Sequence, residues 1–178
     1  MDTIEVELRS FITPERYEEL VAFFTANGTL VSDDEQVTDY FDCKDDIRMQ
    51  KNSGYAKIWR KGGAMHDAWR EETEVRFQSD DFEKLQEVFA ALGIGVKVRW
   101  FRHRKQFEWQ GITVCLDHTR GYGHIIELEK MTSHDGKDAA LVLLRQKLVE
   151  LGVALTPKEE FDARFKQYLL HWRELTNR

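Results

Sequence analysis

The chain has 178 residues, of which 42% are hydrophobic, 12% aromatic and 33% charged, and its formal net charge at pH 7 is −6. This length can bury a substantial core, and the apolar content excludes an intrinsically disordered protein. The negative charge excludes a general attraction for nucleic acid, although basic residues cluster in 97–105. We therefore expect one globular domain over 1–178 without a nucleic-acid partner.

The cellular setting follows from the cysteines and from the hydropathy of the sequence. Cys43 and Cys115 lie far apart, without the spacing of a metal motif, which favours reduced side chains in a cytosolic protein. The first residues contain no apolar leader, and no apolar stretch is long enough to span a bilayer. The sequence therefore predicts a soluble, cytoplasmic protein without a membrane partner.

Helical spacing of apolar residues and period-two alternation predict the secondary structure. In chain order the elements are a strand at 3–11, a helix from Pro14 to Asn27, strands at 36–43, 46–51, 55–61 and 68–77, a helix from Asp80 to Leu92, strands at 96–107, 111–117 and 124–131, a helix at 136–151, and a helix that begins at Thr156-Pro157. Thr13 is an expected N-cap, and Asp80 with Glu83 has the pattern of a capping box. Short connections between strands favour antiparallel hairpins. The order predicts an α+β fold with one large antiparallel sheet, flanked by about four α-helices.

Two of the predicted strands carry a repeated pair of acids on one face. In the first strand Glu5, Glu7 and Arg9 alternate with apolar residues, and in the last strand Glu127 and Glu129 do the same. Most other strands alternate isolated charges with apolar residues. The charged face of such a sheet either meets bulk water or lines the inside of a sheet that curls and closes.

Motifs along residues 3–131 resemble, in the expected order, those of the CYTH proteins, also called triphosphate tunnel metalloenzymes. They are EVELR at 5–9, DYFDC at 39–43, IR at 47–48, IWRKG at 58–62, REETEV at 70–75, RHRKQF at 102–107 and VCLDHTRGYGHIIELE at 114–129. The chain departs from the family pattern at three positions. Arg9 replaces the signature lysine, Gln50 stands where a second base is often found, and Arg102 replaces a usual lysine.

The resemblance implies a closed eight-stranded antiparallel β-barrel, a tunnel whose charged lumen binds a triphosphate group and a divalent metal. Acids that converge in a lumen repel one another by roughly 4 kcal/mol for each pair at ~4 Å and an effective dielectric of ~20. A cation relieves this repulsion, and Mg²⁺ and Mn²⁺ prefer carboxylate oxygens. The expected metal ligands are Glu5, Glu7, Asp117, Glu127 and Glu129, and the expected catalytic residues are Glu5, Glu7, Glu129 and Arg9.

Bases on the other strands are expected to bind the nonbridging oxygens of the triphosphate, because guanidinium groups bind oxygens in pairs. The expected triphosphate ligands are Arg9, Arg48, Lys61, Arg70, Arg102 and Arg104. Further candidates are Glu72, Glu74 and Tyr40, although Glu72 and Glu74 also fit cross-strand ion pairs. Lys57 is expected at the solvated rim.

Three functions fit these residues. The first is a metal-dependent triphosphatase that hydrolyses inorganic triphosphate, thiamine triphosphate or a nucleotide such as ATP. The second is a class IV adenylyl cyclase, which converts ATP to cyclic AMP and pyrophosphate, and the third is a non-catalytic binder of polyphosphate or nucleotides. We rank hydrolysis first because it needs only a site that binds the triphosphate, and a homodimer is expected only by analogy with relatives.

Overall fold

The structure, a computed structural model, describes residues 3–62 and 72–177. Its strands are β1 (Thr3–Ile12), β2 (Thr29–Phe41), β3 (Asp46–Lys51), β4 (Ala56–Lys61), β5 (Glu72–Phe77), β6 (Val96–Trp109), β7 (Ile112–Thr119) and β8 (Gly123–Ser133). Its helices are α1 (Pro14–Asn27), α2 (Phe82–Ala91), α3 (Lys137–Glu150) and α4 (Lys158–Leu175). Of the predicted strand at 68–77, residues 68–71 lie outside the described ranges.

All eight strands form one antiparallel sheet in the order β1-β8-β7-β6-β2-β3-β4-β5. The eight antiparallel strands and four helices confirm the predicted fold class. The sheet is curled, since Lys61 on β4 acts electrostatically on Glu7 of β1 although five strands lie between β1 and β4. It is open among the described residues, because β1 and β5 are its two edges. The short β5 limits the length over which these edges can pair, whereas the sequence predicted a closed barrel.

Strand β2 begins seven residues earlier than the sequence predicted, at Thr29 instead of residue 36. The acidic run at 33–35 interrupts the apolar alternation and therefore does not resemble a strand on its own. Charges on β6 explain the extended pairing, because Asp33 binds Lys105 and Asp34 lies opposite Arg104. Cross-strand pairs of opposite charge stabilise such a ladder.

The first two helices begin differently. Thr13 caps α1 as predicted, and its hydroxyl accepts a hydrogen bond from the amide of Arg16 at 3.2 Å. The predicted capping box at Asp80 is wrong, because a 3-10 turn occupies Ser79–Asp81 and α2 begins at Phe82 without a side-chain cap. The turn places the aromatic ring of Phe82 in the core, where it is 1% exposed.

Helices α1, α2 and α3 pack on the convex face of the sheet. Phe24 of α1 and Leu144 of α3 are fully buried in a cluster with Phe107 and Leu128 from the strands. Phe82 belongs to a second cluster, in which α2 covers β3 and its neighbours. Within the described ranges, no helix combines the length and the apolar character needed to cross a membrane.

Helix α4 covers one end of the opposite, concave face. Its Tyr168 ring stacks on Trp100 of β6 with centroids 4.5 Å apart. The sequence predicted that this helix begins at Thr156-Pro157, but it begins at Lys158. The Thr156 hydroxyl instead accepts a hydrogen bond from the Phe11 amide of β1 at 2.9 Å, and so ties the start of α4 to the sheet.

Candidate metal and phosphate site

The pairing of β1 with β8 places the repeated acids on the concave face. Glu7 lies opposite Glu129, and Arg9 lies opposite Glu127. Directly opposite residues of an antiparallel pair project to the same side, with Cβ atoms about 4.5–5.5 Å apart. The intervening Val6 is 1% exposed in the core of the convex side. The hydrogen-bonded register therefore holds two carboxylates face to face.

Three carboxylates form a cluster that we call the acid triad: Glu5, Glu7 and Glu129. One carboxylate oxygen of each lies within 4.8 Å of the corresponding oxygens of the other two. Burial, with the nearby charge of Glu127, raises the pKa of Glu129 to about 8. Burial and Glu127 also raise the pKa of Glu7. Near neutral pH the acid triad therefore either retains protons or requires a cation.

The spacing and chemistry of the acid triad suit a small divalent cation. An octahedral Mg²⁺ with ligands at 2.0–2.1 Å separates adjacent oxygens by about 3 Å and opposite oxygens by about 4 Å. The triad oxygens already approach this separation. Three carboxylates occupy at most three of six positions when each gives one oxygen, which leaves room for water or phosphate oxygens.

Beside the acid triad, Arg102, Arg104, Asp117 and Glu127 form what we call the arginine network. Two nitrogens of Arg104 donate to Asp117 at 2.7 and 2.6 Å, and Arg104 also binds Glu127. Arg102 donates to the same Asp117 at 3.2 Å. Burial alone would raise the pKa of Glu127, but the positive charges of Arg104, Arg102 and Arg9 lower it to about 2. Asp117 and Glu127 are thus paired with arginines, and their role as metal ligands stays a prediction.

Arg9 and Lys61 extend the positive charge towards the acid triad. Arg9 Nη1 lies 4.0 Å from Glu127 Oε1, and its guanidinium lies 4.9 Å from the centre of the Phe161 ring of α4. Lys61 lies close enough to Glu7 to oppose the rise in its pKa. Two expected triphosphate ligands are therefore adjacent to the expected metal ligands.

On the β2–β3 side of the concave face, Arg48 already has an acidic partner. Its guanidinium donates to both carboxylate oxygens of Asp46, at 2.8 and 2.7 Å. It also lies 4.3 Å from the centre of the Tyr40 ring, which supports a packing role for Tyr40. The sequence did not single out Asp46, although its alternation with Arg48 places both on one face.

On the neighbouring β4–β5 side, Lys57 belongs to the concave face, and its side chain is 19% exposed. Its ammonium donates to Glu74 at 2.7 Å and lies 4.6 Å from the centre of the Trp59 ring. The pair with Lys57 is the cross-strand ion pair that the alternation of Glu74 allowed, and Glu74 also accepts a hydrogen bond from Arg76 of its own strand at 2.7 Å. Lys57 lies four residues before Lys61 on the same strand, and this period-two spacing indicates that both lysines project from the same face.

Two expected residues remain, Arg70 and Glu72. Arg70 lies outside the described residues. Glu72 begins β5 and stands opposite Lys61 in the β4–β5 ladder. The structure therefore brings together the residues of β1, β8, β7 and β6, and places Arg48 and Glu74 on the opposite side of the same concave face.

Cys115 is a neighbour of the acids that the expected site left out. It is 1% exposed and lies opposite Glu127 in the β7–β8 ladder. Its sulfur lies 3.8 Å from Glu129 Oε1. Burial raises the pKa of the Cys115 thiol, so the neutral thiol donates to this oxygen of Glu129. Cys115 and Asp117 are two residues apart on β7 and therefore share a face, and this spacing could have identified Cys115 as a residue of the site.

Comparisons with known proteins agree with this architecture. A family model described as the CYTH domain matches residues 3–165. The chain belongs to the CYTH family. The resemblance of the sequence motifs is thereby confirmed. No curated protein matches this CYTH chain significantly.

Solved structures share the fold of this CYTH chain at low sequence identity. A conserved hypothetical protein from Pyrococcus furiosus has a TM-score of 0.70 and 23% identity, over 84% of this chain and 91% of that one. A Pyrococcus horikoshii protein has a TM-score of 0.69 and 24% identity, over 85% and 92% of the two chains. A proposed adenylyl cyclase from Hippeastrum with a dominant triphosphatase activity has a TM-score of 0.68 and 16% identity, over 93% and 96%.

Proposed function

We propose that this CYTH protein is a divalent-metal-dependent triphosphatase that hydrolyses inorganic or organic triphosphates on its concave face. The observation that carries the proposal is the acid triad, whose oxygens lie within 4.8 Å of one another beside the arginine network. The carboxyl groups of Glu7 and Glu129, whose pKa values are raised, suit a cation, and the adjoining guanidinium groups suit phosphate. The Hippeastrum relative, with its dominant triphosphatase activity, supports hydrolysis over cyclisation.

The acid triad of Glu5, Glu7 and Glu129 would hold Mg²⁺ or Mn²⁺. When bound, such a cation neutralises phosphate charge and lowers the pKa of a coordinated water. Arg9 and Lys61, next to the triad, would bind the terminal phosphate and orient it. Phosphoryl transfer depends mainly on such positioning and on neutralisation of charge.

In the proposed reaction, water attacks the terminal phosphorus of the triphosphate. The bond from this phosphorus to the bridging oxygen breaks, and the rest of the substrate leaves as a diphosphate. One proton of the water stays on the released phosphate, and the other passes to solvent. No residue of the chain becomes covalently bound to the substrate, because the side chains bind and orient the reactants.

The arginine network would bind the remaining phosphates. Arg104 is buried, and Asp117 and Glu127 balance its charge. These acids fix the guanidinium planes of Arg102 and Arg104 before the substrate arrives, which limits the entropy lost on binding. In this role Asp117 and Glu127 position the arginines.

The proposal is tested by supplying ATP, inorganic triphosphate and thiamine triphosphate with Mg²⁺ or Mn²⁺ and resolving the products. Metal-dependent release of orthophosphate is the expected result. Glu7→Gln removes one triad charge and should abolish that release, whereas Glu87→Gln, at an exposed position of α2, should not. Cyclic AMP with pyrophosphate would overturn the proposal in favour of a cyclase, and tight binding without turnover would favour a non-catalytic binder.

A further inference from the structure

One part of the concave face carries buried hydrogen-bond donors that lack acceptors among the described residues. Gln50 on β3 is 8% exposed, and its Nε2 makes no hydrogen bond there. The indole nitrogens of Trp59 on β4 and Trp100 on β6 are likewise buried without a partner in the described ranges. Buried polar groups in proteins are nearly always hydrogen-bonded, so such unpaired donors need an explanation.

The strand register places these donors close together. Trp100 lies opposite Thr38 of β2, and Thr38 in turn lies opposite Gln50, so the three form one row across neighbouring strands. Two strand spacings separate Trp100 from Gln50, which is about 10 Å. Trp59 lies on the next strand, opposite Arg48. We call Thr38, Gln50, Trp59 and Trp100 the donor patch.

The bases that flank the donor patch already have acidic partners. Lys57 binds Glu74 at 2.7 Å, and Arg48 binds Asp46 at 2.7 Å. Each of these two bases thus has a carboxylate of its own, whereas Arg9, Arg102 and Arg104 share two, Asp117 and Glu127, so the bases outnumber their paired acids near the triad. An uncharged group with acceptor atoms needs only the N–H donors, so the patch suits a neutral ligand better than an anionic one.

Aromatic surface adds to this preference. Trp100 contacts Tyr122 at a centroid distance of 4.5 Å and Tyr40 at 6.0 Å. Flat organic groups bind well beside aromatic rings, whereas a compact inorganic phosphate does not gain from them. Neutral donors and aromatic rings thus occur together on the concave face.

We infer that the donor patch binds the uncharged organic group of an organic triphosphate of the nucleoside type, and that Gln50 determines the preference for such substrates over inorganic triphosphate. The inference rests on the proposed function. The arginines and Lys61 would bind the phosphates, while the Gln50 amide donates to a ring nitrogen, carbonyl or hydroxyl of the organic group. Gln50 is therefore a specificity residue that takes no part in bond breaking.

Substitution of Gln50 tests the inference through the ratio of kcat/KM for ATP to that for inorganic triphosphate, both with Mg²⁺. Gln50→Leu removes the amide and should lower kcat/KM for ATP by about tenfold, the effect of one hydrogen bond. The value for inorganic triphosphate should stay within about twofold. Gln50→Lys adds a cation and should raise kcat/KM for inorganic triphosphate. Gln167→Leu, at an exposed position of α4, is the matched control.

A second variant and a thermal readout separate recognition from folding. Because the Gln50 amide nitrogen is unpaired in the free protein, Gln50→Leu should not lower the melting temperature without substrate. Trp59→Phe keeps an aromatic ring but removes the unpaired N–H, and it should reduce the ATP preference in the same direction. If Gln50→Leu fails to fold, the inferred absence of a structural role is wrong.

The outcomes are distinct. Loss of ATP turnover alone supports the inference, whereas an equal loss for both substrates overturns it and leaves the triphosphatase standing. An unchanged ratio in both Gln50→Leu and Trp59→Phe also overturns it. If the native protein releases no phosphate from either substrate, the proposed function fails, and the inference fails with it.

Discussion

Replacing Glu129 with glutamine should stabilise the metal-free protein at alkaline pH. Burial and the charge of Glu127 raise the pKa of Glu129 to about 8, from an ordinary value of 4.5. At about 1.36 kcal/mol per pKa unit, this shift corresponds to a loss of stability of about 5 kcal/mol once Glu129 is fully ionised. Between these two pH values the folded state holds a proton that the unfolded state has lost, so stability falls as the pH rises. Glutamine carries no charge and removes this fall.

Thermal unfolding in the presence of a chelator, at pH 5, 7 and 8.5, measures the effect. For a domain of this size, about 5 kcal/mol corresponds to a difference in melting temperature of roughly 10–20 °C at pH 8.5. At pH 5 the folded protein already protonates Glu129, so the two proteins should melt at similar temperatures. Glu87→Gln, exposed on α2, controls for the loss of a negative charge.

Added Mg²⁺ supplies the second half of this test. A cation that binds only the folded acid triad raises the melting temperature of the native protein at pH 8.5, and it should leave Glu129→Gln nearly unchanged. The reasoning is refuted if Glu129→Gln remains as pH-sensitive as the native protein. It is also refuted if Mg²⁺ stabilises both proteins equally.

Two other substitutions probe the positive side of the site. Lys61→Met should raise KM for triphosphate severalfold and shift the pKa of Glu7 further upwards, which a pH–rate profile detects; an unchanged KM would remove Lys61 from the phosphate site. Arg104→Leu leaves Asp117 and Glu127 without their main partner, and breaking such a buried ion pair costs about 3–5 kcal/mol, which urea unfolding measures. A loss below about 1 kcal/mol would show that the acids find other partners.

Much of the fold could be predicted because alternation and turn signals are local. The strands at 3–11 and 124–131 correspond to β1 and β8 almost residue for residue, since apolar residues such as Val6 and Leu128 mark one face. The start of β2 could not be predicted, because the acids at 33–35 become compatible with a strand only opposite the bases of β6. A partner 70 residues away is invisible to local periodicity.

In the candidate site, too, local features could be predicted from the sequence, whereas contacts between distant residues could not. Which residues share the concave face followed from alternation, and the ladders place Glu7 opposite Glu129 accordingly. Which acid pairs with which base did not follow, because this depends on how the sheet curls. Glu127 was grouped with the other acids, yet Arg104 holds it in an ion pair. Lys57 likewise pairs with Glu74 of another strand, a partner that local alternation does not reveal.

The repulsion within the acid triad is maintained by the core on the other side of the sheet. A slip of one residue between β1 and β8 would separate Glu7 from Glu129, but it would also turn one strand over and expose its apolar residues. Val6 is 1% exposed, and Ile126 and Leu128 are fully buried. Each such side chain contributes about 1.5–3 kcal/mol by burial, so their sum exceeds the cost of one pair of like charges. The chain therefore folds with the carboxyl groups already together, and either protons or a bound cation relieve the repulsion between them.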